Sequence, residues 1–433
     1  MNIILMLCFF IANFSFSPML KNVPDDQKNW AQWRGPWATG IAYNGNPPLE
    51  WSEEKNINWK IETPGKGHAT PIVWGNQMFL SSAIPVGTEV DNNDQRQNAD
   101  KLHKFSLISV DKNTGKILWR RDLKEDYPAA GTHDIGSWAS NSPVTDGTSI
   151  YAYFGSRGLY CLDMQGNLKW ERNLGEMEKL RSFGEGSSPV LYKNKLIILR
   201  DHEGQSTISV LDKNSGRDIW KQNRDEGSSW ATPFLVEIKG RTQIITSATS
   251  KIRSYDLDTG AIIWEGTGMT NNVIPSPVIK DNIIYLTSGY RGNSLLAIDL
   301  LKAKGNIDNS DAIVWTYDKY TPYTPSPLIM GDLIYFLREN DGRLSCLNVK
   351  DGFENYTNQR LEGLGDIFTS PVGTKDRIYF LGRKGLTYVI KHGPKFEVLA
   401  KNQLDDTFMA SPVIIGNTIY LRGYKNLYSI KQM

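Results

Sequence analysis

Cysteine is scarce: 433 residues contain three, and no two are adjacent. That is too few for a disulfide framework. Charge of one sign is also lacking. Lys plus Arg is 49 and Asp plus Glu is 47, a net charge of +2. This excludes a protein built mainly to bind nucleic acid, which carries a basic domain or stripe. No glycine-rich phosphate loop opens a helix, and no Gly-x-Ser-x-Gly elbow is present. There are only five histidines, and none forms a short HxxxH-type ligand spacing. With 40% hydrophobic residues, the chain is too apolar to be disordered.

Long apolar runs are absent with one exception, IILMLCFFIANFSF at 3–16. Its 14 residues fall short of the roughly 20 that a spanning helix needs, and fit the roughly 7–15 of a signal-peptide core. Ser15 and Ser17 are small and spaced as a cleavage site places them, although no Lys or Arg precedes the run. We read 1–17 as a signal peptide, 18–49 as a lead-in segment and 50–433 as the folded domain. The chain is expected to be exported, periplasmic or extracellular, with no transmembrane segment and with outer-membrane association open. Cys8 follows the bulky Leu7, which favours simple secretion over lipidation. Cys161 and Cys346 are expected as buried free thiols.

What is abundant is Trp (13), Tyr (19), Gly (38) and Pro (20), the composition of short strands and tight turns. A small residue, Pro and an aliphatic or aromatic residue recur as ATPI (69–72), NSPV (141–144), SSPV (187–190), ATPF (231–234), PSPV (275–278), PSPL (325–328), TSPV (369–372) and ASPV (410–413). Successive prolines are 72, 46, 44, 44, 50, 44 and 41 residues apart. After each Pro come a short strand, an aromatic-rich strand such as IIYLTSG (283–289), a third strand such as GLYCLD (158–163), and an Asp-to-Gly turn into a strand bearing Trp. The turns read DKNTGKILW (111–119), DMQGNLKW (163–170), DKNSGRDIW (212–220) and DLDTGAIIW (256–264), always four residues from Gly to Trp. The turn aspartates are expected to cap the turns, and the Trp to pack between neighbours.

Four strands per period of about 44, eight times over, predict an all-β fold: an eight-bladed β-propeller of four-stranded blades. The last copy lacks its fourth strand, and NINWKIE at 56–62 lacks its first three. The N-terminal strand is therefore expected to close the ring. Tyr356 and Val398 are read as stand-ins for the repeat Trp in the sixth and seventh copies. The fifth carries an insertion between Asp299 and Trp315, and the first a polar insertion over 83–104.

From the Asp-x-x-Thr-Gly-x-x-x-Trp turn back to the Ser-Pro-Val strand start, the repeat resembles the pyrroloquinoline-quinone (PQQ)-like propeller repeat. WAQWRGPWATG at 30–40 resembles the lead-in of secreted PQQ-like, BamB-like proteins. The resemblance implies an exported scaffold more than bound quinone. Quinoprotein alcohol dehydrogenases hold their quinone against a vicinal disulfide and a stacking Trp, with calcium on Glu and Asn and an Asp base. This sequence has no adjacent cysteines and no recognisable carboxylate set of that kind. No cofactor is expected, neither a metal nor PQQ with calcium.

In a propeller, the loops entering the first strands share one face with the loops between second and third strands, and function concentrates on such loops. Here that face offers His68, His133 and His202, with the aromatics Trp138 and Trp230. It also carries Arg181, Arg224, Arg253, Arg291 and Arg338, and the acidic Glu185. The histidines with nearby carboxylates suit metal binding or acid–base work, or else loop hydrogen bonds. The tryptophans suit stacking on sugars or packing of the loop. The arginines suit anionic groups as a set, or ion pairs with Glu185, Glu226 and Glu339 singly. The expected function is a non-enzymatic binding scaffold for a protein or glycan partner in the cell envelope. The alternative is a quinone-dependent dehydrogenase or a hydrolase acting in the central funnel.

Overall fold

In the computed structural model, residues 28–90 and 98–433 are described. The expected signal peptide at 1–17 lies outside them. Eight sheets of four antiparallel strands form the blades of a closed ring, and among the described residues two single-turn 3-10 helices lie beside them. Blade 1 comprises Ile72–Trp74, Gln77–Pro85, His103–Asp111 and Ile117–Asp126. Blade 3 is equally regular: Val190–Tyr192, Lys195–Arg200, Ser206–Asp212 and Asp218–Arg224. Blade 8 joins Val413–Ile415, Thr418–Arg422 and Asn426–Lys431 to the N-terminal strand Ile57–Glu62. The register Trp59↔Ser429 locks that closure. Strands far apart in the chain thus leave no open edge at the seam.

The repeat Trp and Gly work as a pair. Trp170 of blade 2 lies over Gly216 in the turn of blade 3, and its Nε1 donates to Lys213 O at 3.0 Å. Gly216 has φ +68°, and a Cβ there would come within 2.8 Å of the indole. Backbone conformation and clearance both demand glycine. The same donation runs from Trp59 to Lys112 O, Trp119 to Met164 O, Trp220 to Leu257 O and Trp315 to Val349 O. Trp264 departs from it. The insertion after Asp299 sends Gly305–Asn306 back as a fifth, parallel strand on blade 4, and Trp264 Nε1 is buried without a partner.

A register shift precedes the Trp position in every blade. It corrects one reading. In blade 7 the residue opposite the third strand at that position is Ala400, paired with Val389. Val398 sits on the far side of the bulge, exposed like Ile117, Leu168 and Ile262. In blade 6, Tyr356 does occupy the Trp position, opposite Cys346. Cys161 and Cys346 are buried and unpaired, on third strands of opposite blades. The turn aspartates cap as expected: Asp212 Oδ1 accepts the N–H groups of Asn214 and Ser215.

The first-blade insertion is a lengthened hairpin. Pro85 still pairs with His103, so only 86–102 leave the ladder, and 91–97 lie outside the described residues.

Candidate functional site in the central funnel

The residues flanking each repeat Pro build the site. Just before every repeat Pro stands Ser or Thr, and its hydroxyl accepts a backbone N–H from the preceding blade. Thr70 N donates to Ser142 Oγ, Ser142 N to Ser188 Oγ, Ser188 N to Thr232 Oγ1 and Thr232 N to Ser276 Oγ, each at 3.0 Å. Ser276 N then donates to Ser326 Oγ, Ser326 N to Ser370 Oγ and Ser370 N to Ser411 Oγ. Ser411 N returns to Thr70 Oγ1. Eight bonds thus encircle the central channel. A buried N–H must find a partner, and here the next blade supplies it. A hydroxyl, rather than smallness alone, is what the position before Pro requires.

Above this ring lies a cavity of about 400 Å³. Its wall includes His68, His133, Phe183, Trp230, Tyr290, Tyr323 and Phe368, with seven of the eight ring hydroxyls. Among the described residues, no Asp, Glu, Lys or Arg lines it. The channel is blocked below by the lead-in segment. Trp30 pairs with Val73 of blade 1 through N–H···O bonds of 2.7 and 2.8 Å, and Gly373 of blade 7 donates to Gly40 O. Between these anchors Arg34 Nη2 donates to Pro327 O at 2.7 Å. Trp33, with Thr232 and Ser276 of the ring, lines both the upper cavity and a second one of about 530 Å³ on the opposite face, so these residues lie between the two.

Of the sequence candidates, His68, His133 and Trp230 meet in this funnel. His68 stacks on Tyr424 at 5.3 Å between ring centres. Burial holds its pKa well below 6.5, helped by the positive charges of Lys66, Arg422 and Arg383. His133 packs on Phe183, and its Nδ1 accepts Ile135 N–H at 3.3 Å. Trp230 Nε1 donates to Gly184 O at 2.8 Å, and Lys179 Nζ lies 5.0 Å from its ring centre.

The other candidates lie elsewhere. His202 is buried, and its Nδ1 accepts the N–H groups of Glu178 and Gly204. Trp138 meets His103 edge-on at 4.6 Å, and its Nε1 donates to Ala130 O. None of the five arginines lines the cavity, because carboxylates or surface positions claim them. Arg224 is fully buried with both oxygens of Asp201, at 2.7 and 3.2 Å. Arg253 is held by Glu265, Glu226 and Asp225, and Arg338 by Glu339. Arg291 lies over the Tyr290 ring, and Arg181 is exposed at φ 48°. Glu185 accepts Ser156 N–H at 2.7 Å and, among the described residues, pairs with no arginine, and burial pushes its pKa up. Sequence reading missed Trp33, Tyr290, Tyr323, Phe183 and Phe368. It also missed the hydroxyl ring, whose signal was present in all eight pre-proline positions.

The family model for the outer membrane protein assembly factor BamB matches residues 49–205, 103–358 and 204–431. The chain belongs to this family. Among solved structures, BamB from Moraxella catarrhalis is 16% identical, with a TM-score of 0.54 over 82% of this chain and 97% of that one. A europium-containing methanol dehydrogenase is 10% identical, with a TM-score of 0.64 over 94% and 98%. Both likenesses establish the propeller fold. Tetrathionate hydrolase of Acidithiobacillus ferrooxidans is 19% identical over 253 residues, 53% of this chain. The chain spans about half (47%) of that relative's length. Whether a lanthanide or calcium ion fits here is decided by donors. Such hard cations take six to eight oxygen ligands, carboxylates prominent among them. Among the described residues the cavity wall carries no carboxylate, and no three His, Cys, Asp or Glu side chains gather as a metal site would need. The residues present do not fit that group. Nor, among the described residues, is any helix long and apolar enough to cross a membrane.

Proposed function

We propose that this protein is an exported, non-enzymatic binding scaffold of the cell envelope, which takes a protein or glycan partner on its loop face. The observation that carries this reading is the funnel: a blind cavity with aromatic walls and a hydroxyl floor, mounted on a rigid ring. Such a cavity suits binding, because aromatic faces and fixed donors confer affinity and orientation. Acid–base chemistry needs a positioned titratable pair, and among the described residues the wall offers two histidines, one of which burial holds well below its ordinary pKa. The reading therefore invokes neither quinone nor metal. Family membership supports it, since the family is named for an assembly factor.

The experiment is to shorten the 86–102 excursion to a tight turn and, separately, to make Trp230→Ala. Partner binding should weaken in both while the melting temperature of the ring stays close to wild type. Unchanged binding in both variants contradicts the use of this face.

A further inference from the structure

The inference rests on the funnel reading above and concerns what the funnel holds. Its two sides differ. Tyr290, from the second-to-third-strand loop of blade 5, stacks on Tyr323 with ring centres 4.7 Å apart. Four blades away, on the opposite side, stands His68 on the loop into blade 1. Behind His68 is a concentration of positive charge. Lys66 Nζ lies 4.6 Å from the centre of the Tyr424 ring on which His68 stacks. Arg422 is only 2% exposed. Its Nη1 and Nη2 donate to the carbonyls of Ala69 and Ser81 at 3.1 and 2.8 Å, and among the described residues its Nε has no partner. Among the described residues Arg422 makes no ion pair, and desolvation pushes its pKa down to about 9. The nearby carboxylate, Asp406, is occupied by the N–H groups of Thr407, Tyr424, Lys425 and Asn426.

A buried cation without a counter-ion is costly. The field of Arg422 is therefore strong in a low-dielectric wall. Burial is the main cause of the depressed basicity of His68, and the charges of Lys66, Arg422 and Arg383 add to it; among the described residues its buried Nε2 has no partner. The floor adds a second requirement. Each ring hydroxyl accepts one N–H and keeps its own hydrogen to donate, so seven residues lining the cavity have a hydroxyl that can rotate to donate to a ligand. Donors without acceptors call for an oxygen-rich ligand.

We propose that the funnel seats a saccharide unit bearing an anionic group, its acid at the His68 corner and its ring against the Tyr290–Tyr323 wall. Carboxylate and phosphate are equivalent in this role, because positive potential and O–H donors serve either. The aromatic wall supplies the stacking face that a bare inorganic anion cannot use.

The test is isothermal titration with glucuronate, glucose 6-phosphate, glucose and inorganic phosphate. The acidic sugars should bind at least about tenfold more tightly than glucose and than phosphate alone. Which acidic sugar binds better identifies the acid group. The preference over glucose should shrink in Lys66→Met and His68→Gln, each checked for an intact melting transition; two variants guard against one failing to fold. Glucose binding as tightly as the acidic sugars overturns the anionic part and leaves the funnel reading standing. Phosphate binding as tightly as the sugar phosphate overturns the saccharide part. No binding by any sugar overturns the inference as a whole. The scaffold reading fails separately, in the Trp230→Ala and loop-shortening experiment.

Discussion

Ser411 N–H donates to Thr70 Oγ1 at 3.1 Å, joining residues 341 positions apart and closing the eight-membered hydroxyl ring. Every blade contributes one acceptor and one donor to that ring, so it works as a circumferential tie around the channel. Its position under the funnel means that the element holding the blades in register also forms the floor of the candidate site.

Thr70→Val removes the acceptor while keeping the side chain's shape. The Ser411 N–H is then buried and unpaired, which costs about 1–3 kcal/mol. Thermal unfolding should show the loss, and Thr70→Ser should restore most of it. A Thr70→Val variant as stable as wild type contradicts the role of the ring.

Trp220 and Trp264 occupy the same place in adjacent blades and should respond differently to Phe. Trp220 Nε1 donates to Leu257 O at 2.9 Å, whereas Trp264 Nε1 is buried without a partner. Trp220→Phe strands a carbonyl, at about 1 kcal/mol or more. Trp264→Phe removes an unsatisfied donor and should cost less despite its deeper burial. Equal losses in denaturant titrations contradict the assignment of the Nε1 bonds.

Blade number, blade boundaries and closure by the N-terminal strand were legible in the sequence, because a 44-residue period repeats turn, Trp and Pro in phase. The lead-in plug was not. Trp33 and Arg34 lie outside the repeat, and their contacts, such as Arg34 to Pro327 O, span 293 residues. The seventh-blade register was misread because the bulge moves the Trp position from Val398 to Ala400. Of the site, His68, His133 and Trp230 were found from loop position. Arg224 and Arg253 are taken up by ion pairs, the alternative the sequence also offered, but Asp201 lies 23 residues from Arg224 and Glu226 lies 27 from Arg253, so the pairing and its burial are visible only in three dimensions.

Breaking the Arg224–Asp201 pair should be severe. Both side chains are fully buried, and Asp201 also accepts Ser229 Oγ–H. Asp201→Asn or Arg224→Met leaves an uncompensated charge or unpaired donors, for a loss of about 3–5 kcal/mol. A drop in melting temperature of only a degree or two contradicts this.

Acid should destabilise the fold through its histidines. Burial lowers the folded-state pKa of His68, His103, His202 and His392. The unfolded chain takes up protons as pH falls through about 6.5 while the folded state resists, so this contribution to stability declines below that pH. Glu185 and Glu226, whose folded pKa is raised, act in the opposite sense above 4.5. The histidine share is isolated by comparing wild type with His68→Gln from about pH 7.5 to about 5.5. The variant should lose less stability over that range, and parallel curves contradict the neutral, buried state of His68.

Trp33→Ala should join the upper cavity to the one beneath it. The blades keep their own contacts, so the ring should still unfold cooperatively, while ligands of the funnel lose a wall and bind more weakly. Titration of the variant checks this, and full affinity contradicts the role of Trp33 as part of the partition.

The central claim is that the funnel binds and does not host quinone-dependent chemistry. The most direct measurement is the melting temperature of the purified protein with PQQ plus calcium and, separately, with a panel of polysaccharides, since a ligand of the folded state raises it. The account predicts a saturable rise with a polysaccharide or with a protein partner, weakened in Trp230→Ala, and no rise with the quinone. A saturable rise with PQQ and calcium contradicts it.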